Sequence, residues 1–199
     1  MILVFDTSSA ACTAALFDAA GECIASADEV IGRGHAERLV PMLDDLLDGR
    51  RADRILVGVG PGSFTGIRVA IAAAHGLAIG WDAELSGMSS LALLAAGAGD
   101  VAAAVTGGHG ELFIQQFDGV TAEPVSDLLN LPPAAAAAAT SAAMVVGSGA
   151  RQLVDARGWG EARDALPSAA AALKLPERLR SLAPKPLYAR APDAKAKAA

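Results

Sequence analysis

The run Gly58-Val59-Gly60-Pro61-Gly62-Ser63-Phe64-Thr65-Gly66-Ile67-Arg68 is where residue type and spacing come nearest to chemistry. It lies between an apolar run, Ile55 to Val57, and an alanine-rich segment, Val69 to Ile79. That order reads as strand, sharp turn and helix start. Glycine lets a second backbone or an anion come close. Ser63 or Thr65 can cap the helix by accepting a bond from a first-turn N–H. Gly60, Gly62, Ser63, Thr65, Gly66 and Arg68 thus form a helix-start loop with two uses open to it. One is an anion site. The other is a tight turn that exposes a smooth helix for docking.

Asp6-Thr7-Ser8-Ser9 closes the first apolar run. A carboxylate with hydroxyls in a turn can hold a metal–phosphate group, and the same pattern is an ordinary Asx or Ser/Thr turn. With the weaker turn Gly147-Ser148-Gly149, the residues Asp6, Thr7, Ser8, Gly147 and Gly149 are candidates for a vestigial nucleotide cleft. Other chemistries lack their residues. A phosphate-binding P-loop needs a lysine after its last glycine, and no lysine precedes Lys174. A Rossmann unit fails because the first unit reads as a hairpin. His35, His75 and His109 are never three or four apart, so no helical metal pair forms. No G-x-S-x-G elbow is present, and no metal site is expected.

These residues must be positioned by an alternating pattern of elements. Ile2 to Asp6, Thr13 to Phe17 and Cys23 to Val30 read as strands, followed by a helix at His35 to Leu47 that Pro41 kinks or starts. Arg54 to Gly60 is a strand, Gly66 to Gly80 a helix, Leu85 to Met88 a strand and Ser89 to Ala96 a helix with a serine cap. A second series follows: strands at Val101 to Thr106, Glu111 to Phe117 and Val120 to Val125, a short helix near Ala134 to Ala139, a strand at Met144 to Val146, and helices from Ala150, Ser168 and Pro176. Three strands, helix, strand, helix, given twice, predicts an α/β protein of two duplicated lobes with mixed sheets flanked by helices. The lobes divide as 1–98 and 99–199.

Composition narrows the function. The 199 residues are 53% hydrophobic but only 4% aromatic, so the core rests on small residues. Residues 1–173 carry a net charge of −11 and the basic end, 174–199, carries +5. An acidic body is not a self-sufficient nucleic-acid binder. No apolar stretch of eighteen residues lacks charges, and the start has no basic segment before its apolar run, so a cytoplasmic protein with no membrane contact is expected. Hairpin spacing sets Cys12 opposite a residue near Ala27 rather than Cys23, so no disulfide is expected and both cysteines read as core residues. The helix 66–80 is apolar or small nearly all round. Such a helix is either central in a core or covered by a partner.

Several motifs together resemble the TsaB (YeaZ) family. They are Phe5-Asp6-Thr7-Ser8, His35-Ala36-Glu37-Arg38-Leu39-Val40-Pro41, the glycine run through Arg68, Gly76-Leu77-Ala78, Met88-Ser89-Ser90-Leu91 and Pro186-Leu187-Tyr188-Ala189-Arg190. The resemblance is strong over the first hundred residues. It implies an actin-like ATPase or RNase H-like fold. It also implies a non-catalytic subunit of the bacterial machinery that makes threonylcarbamoyladenosine in tRNA. The partners it implies are TsaD, which carries the metal-binding histidine pair and the active site, and the ATPase TsaE. It further implies self-pairing when TsaD is absent, tRNA contact only through the complex, and no cofactor of the chain's own, ATP and metal belonging to the partners. The two helices then supply the docking surface, with His35, Leu39, Leu43, Ile67, Val69, Ile71 and Ala74 as expected contact residues. The chain departs from the pattern at Thr106-Gly107-Gly108-His109, where the family has an Asp-Ala-Arg-like turn. The alternatives are a nucleotide-binding or ATP-hydrolysing, sugar-kinase-like enzyme using the Asp6 turn, and the glycoprotease-like peptidase of the family's label, for which no residue pattern is present.

Overall fold

The computed structural model describes residues 1–188. The first sheet holds β1 (Ile2–Asp6), β2 (Ala11–Phe17), β3 (Cys23–Val30), β4 (Arg54–Gly58) and β5 (Glu84–Met88), in the order β3-β2-β1-β4-β5. The second holds β6 (Val101–Thr106), β7 (Leu112–Phe117), β8 (Leu129–Leu131), β9 (Met144–Val146) and β10 (Glu161–Arg163), in the order β10-β9-β6-β7-β8. Relabelled within each sheet, both orders are 3-2-1-4-5. In both, the second strand runs antiparallel to the first and third, and the fourth and fifth run parallel to the first. This is the duplicated, mixed-sheet, actin-like arrangement.

The helices sort into layers. Outside the first sheet lie α1 (His35–Leu47) and α2 (Phe64–Trp81), and outside the second lie α4 (Pro133–Ala138) and α5 (Ala150–Arg157). Between the sheets sit α3 (Ser90–Ala95), a 3-10 helix at Ala169–Lys174 and α6 (Glu177–Arg180). One apolar core therefore joins the inner faces of both sheets: Val4, Leu56, Leu91, Val105, Phe117 and Val146 belong to it. The last described stretch returns to the first sheet, where Leu182 exchanges both backbone bonds with Gly87 and the Leu187 N–H donates to Val59 O.

Local causes are visible in each helix. In α1 the buried residues Leu39, Met42, Leu43, Leu46 and Leu47 recur at the helical period, and the helix runs unbroken through Pro41 for 13 residues. A bidentate pair from Arg38 to Glu29 ties it to β3, and holds the Glu29 carboxyl below the usual carboxylate range. In α2 the Ser63 hydroxyl accepts from Gly66 N–H at 3.2 Å, so Ser63 is the cap and Thr65 lies exposed in the first turn.

The structure corrects four expectations. Residues 120–125 form no strand. Asp118 Oδ1 accepts from the Val120 and Thr121 amides and the Thr121 hydroxyl, which curls the chain into a turn with Val120 exposed, and the third strand waits until Leu129. β10, sequence Glu-Ala-Arg, has no apolar alternation and was not foreseen. The residues after Ser168 wind as a 3-10 helix. Cys12 lies opposite Glu29 and Cys23 opposite Phe17; Cys12 is buried, its thiol pushed up to about 11 by burial and then by Glu29, but Cys23 is exposed rather than in the core.

Candidate functional site

Turns from both lobes converge at the seam between the sheets. From the first lobe come Ser8 to Ala10 after β1 and Gly62 to Phe64 before α2. From the second come Thr106 to His109 after β6 and Ser148 before α5. They line a cleft of about 800 Å³, together with Leu166, Leu187 and Tyr188. This is where the fold brings the ends of its first strands together, and it is the natural ligand crevice of such a sheet.

Asp6 does not face that cavity. It is fully buried, and its carboxylate is taken up by the protein. Oδ1 accepts from the Ser8 N–H and the Ser8 hydroxyl, both at 2.7 Å, and Oδ2 accepts from the Ser90 hydroxyl. Ser90 Oγ in turn accepts from Gly60 N–H at 3.1 Å. The Thr7 hydroxyl, also buried, donates to Gly66 O at 2.6 Å, and Ser63 N–H donates to Ser8 O at 2.6 Å. The Asp6 turn is thus bolted to the glycine loop and to the start of α3. Of the candidate phosphate contacts, only Ser8 reaches the cavity lining; Asp6 and Thr7 are corrected to structural roles.

The glycines are explained by the same close approaches. A methyl group on Gly58 would stand 1.7 Å from Asp6 Oδ2, and one on Gly66 would stand 1.8 Å from Thr7 O. Gly62 backs onto Ser8 O in the same way. The loop is therefore a tight backbone junction that fixes where α2 begins. In the second lobe, Gly147 and Gly149 leave room for Ala104 and Leu112, so their bareness serves packing against β6 and β7. Neither glycine lines the cavity, although Ser148 between them does.

The helices α1 and α2 lie side by side on the first sheet, and their faces are now assigned. Leu39, Leu43, Ile67, Ile71 and Ala74 are turned inward, Ala74 with no exposure at all. Val69 and His35 are half-buried, and His35 Nε2 lies 3.2 Å from Ala11 O. The expected contact residues thus fall mostly on the core side. A charge at Ala74 would strike the fold itself rather than a surface. The outward face of α2 carries Ala72, Gly76, Ile79 and Gly80, and that of α1 carries Ala36 and Val40. Ile79 is 84% exposed and Val40 63%. Added methyl groups at Gly76 and Gly80 would meet nothing within 4 Å.

Two features escaped the sequence. The sequence leaves open which of Ser89 and Ser90 caps α3; Ser89 does the capping, and Ser90 holds Asp6. Two hydroxyls at one helix start, where one suffices, was the available signal. At the cavity mouth, the Arg68 guanidinium lies 3.6 Å over the Phe64 ring, its Nε donates to the Tyr188 hydroxyl at 3.1 Å, and the two rings stack at 5.5 Å. Phe64 and Arg68 are neighbours on a helix face by their spacing, but nothing local announces Tyr188. Among the described residues no cluster of three metal-ligating side chains occurs.

A family model described as TsaD, tRNA N6-adenosine threonylcarbamoyltransferase, matches residues 22–127, more than half the chain. The tRNA threonylcarbamoyladenosine biosynthesis protein TsaB of Escherichia coli strain K12 is 36% identical over 102 residues, 49% of this chain and 43% of that protein. The protein of the same description from Haemophilus influenzae is 36% identical over 99 residues, 47% of this chain and 41% of that one. The matched region thus spans less than half the length of these curated relatives. Two solved structures match nearly end to end. YeaZ from Pseudomonas aeruginosa is 31% identical, with 94% of this chain and 98% of that one covered and a TM-score of 0.78. A Pseudomonas aeruginosa protein described as similar to the peptidase YeaZ is 32% identical, with 95% and 99% covered and a TM-score of 0.79. The family model bears the transferase's name and the curated relatives bear TsaB's. The full-length structural matches decide for the latter.

Proposed function

The chain belongs to the TsaB (YeaZ) family, and from that premise we propose that it is a non-catalytic partner subunit in the biosynthesis of tRNA threonylcarbamoyladenosine. It docks on TsaD through the outer faces of α1 and α2, with TsaE joining the assembly. It requires no cofactor of its own, meets tRNA through the complex, and works in the cytoplasm.

The observation that carries this reading is the bare outer face of α2. The helix is long and apolar enough to cross a membrane by length and composition, yet only 28% of it is buried within this chain. Its exposed stripe of Ala72, Gly76 and Gly80 runs at four-residue spacing beside Ile79. Glycine inside a helix is unfavourable by about 1 kcal/mol against alanine, and among the described residues no packing calls for it at Gly76, or at Gly80 in the last turn. A smooth face lets a second helix approach closely, and exposed Ile79 and Val40 supply apolar anchors. In the free protein a second copy can cover the same face. The buried, saturated Asp6 speaks against the chain as a phosphate-transferring enzyme in its own right.

Light scattering of the chain alone and mixed with TsaD of the same organism, with a tRNA threonylcarbamoylation assay on each, tests the proposal. A one-to-one complex and modification only in the mixture are expected. Ile79→Glu should abolish pairing while keeping the native unfolding midpoint. Undiminished pairing by that variant would remove α2 from the interface, and modification by the chain alone would overturn the non-catalytic role.

A further inference from the structure

The interlobe cavity is of the size that holds a drug-sized or nucleotide-sized organic molecule. Its lining is unusual for this chain. The protein has a net charge of −6, yet no aspartate or glutamate lines the cavity. At the mouth, Arg68 is held in place by the Phe64 ring and the Tyr188 hydroxyl. Among the described residues its terminal nitrogens have no carboxylate partner. The hydroxyl-bearing residues Thr106 and Ser148 line the same space from the second lobe, whereas the Ser8 hydroxyl is taken up by Asp6.

A planar cation beside aromatic faces, with hydroxyls around it and no competing anion, fits one phosphate carried on a flat ring system. A magnesium triphosphate fits poorly. Magnesium is held through carboxylates, the cavity lining has none, and Asp6 has both oxygens occupied. Several phosphate charges would also face a single arginine. We propose that the cleft is a metal-independent binding site for an organic monophosphate of the nucleoside monophosphate class, with Arg68 on the phosphate. The inference does not depend on the docking surface. Arg68 stands in the first turns of α2, whereas Gly76, Ile79 and Gly80 are near its other end.

Calorimetric titration of the full chain with adenosine monophosphate, with EDTA and then with magnesium, tests it. One saturable site is expected, with an affinity the metal does not change. Arg68→Gln should weaken binding by about tenfold or more, the loss of a charge-assisted contact, and adenosine should bind as weakly to the native chain. Arg68 is exposed, so the variant should keep the native unfolding midpoint. Absence of saturable binding, equal binding by Arg68→Gln, equal binding of inorganic phosphate, or tighter binding of magnesium ATP would each overturn the proposal.

Discussion

The two lobes share one strand order and use its turns in opposite ways. In the first lobe, the strand that opens the sheet ends in Asp6, and its neighbour leads through Gly58 to Gly66 into an 18-residue helix. Carboxylate, hydroxyls and bare glycine backbones lock there into one buried junction. In the second lobe, the equivalent strand ends in exposed Thr106, whose amide meets the Ser148 hydroxyl at 3.3 Å, and the helix that follows has 8 residues. The same topology thus yields a half whose turns lock into a buried junction that fixes a long helix and a lighter half whose turn stays exposed, both of them edging the cavity. Topology decides where turns meet; side chains decide whether a meeting point becomes a bolt or an opening.

The sharpest way to break this contrast is Gly58→Ala. The new methyl collides with the Asp6 carboxylate, and a loss of about 4 kcal/mol or more, or failure to fold, is expected in urea unfolding. Asp6→Ala comes next, at about 3 kcal/mol, because it strands the Ser8 and Ser90 donors in the interior. The two should couple. With the carboxylate gone the Gly58 methyl has room, so the double variant should fall short of the summed losses by about 1–3 kcal/mol. Thr106→Val, the counterpart in the second lobe, should stay within about 0.5 kcal/mol of the native chain, since the site is exposed. A loss there as large as that of Asp6→Ala would erase the distinction between the lobes.

Smaller effects sharpen the comparison at its edges. Gly76→Ala should stabilise the free chain by about 0.5–1 kcal/mol, helix propensity gained with no collision. The same substitution tests the docking face, because it should not improve, and should weaken, pairing with TsaD. The smallest effect is one of pH. The Glu29 carboxyl is depressed in the folded chain by the Arg38 hydrogen bonds. Its contribution is therefore present above the unfolded glutamate value and is lost as pH falls through the lower folded one. Below about pH 4 the native urea midpoint should drop slightly more than that of Arg38→Gln, and equal drops would show that the pair contributes nothing.

Much of this was legible in the chain itself. The helix 35–47 stands where its apolar period placed it, and β1, β3 and β6 begin and end as read. The duplicated order was legible too, because burying a strand or a helix stripe imposes a period on local sequence. The third strand of the second lobe was misplaced because Val120 and Val125 look like strand residues, while the Asp118 side chain that curls them away acts through hydrogen bonds that no period records. The face of α2 could not be read for a related reason. A helix apolar on every side carries no moment to say which side is turned in.

By itself the sequence determined most of the elements, their repetition, the strand–turn–helix order at the glycine run and the family to which they belong. All of these rest on interactions between near neighbours or on residue types that admit few conformations. Only the tertiary structure decided that Asp6 is a bolt, that Leu39, Leu43, Ile67, Ile71 and Ala74 belong to the core, and that Arg68 meets Tyr188 across 120 positions. Those outcomes depend on which surfaces face each other once the sheets have closed, and residues far apart in the chain leave no trace of that in their local pattern.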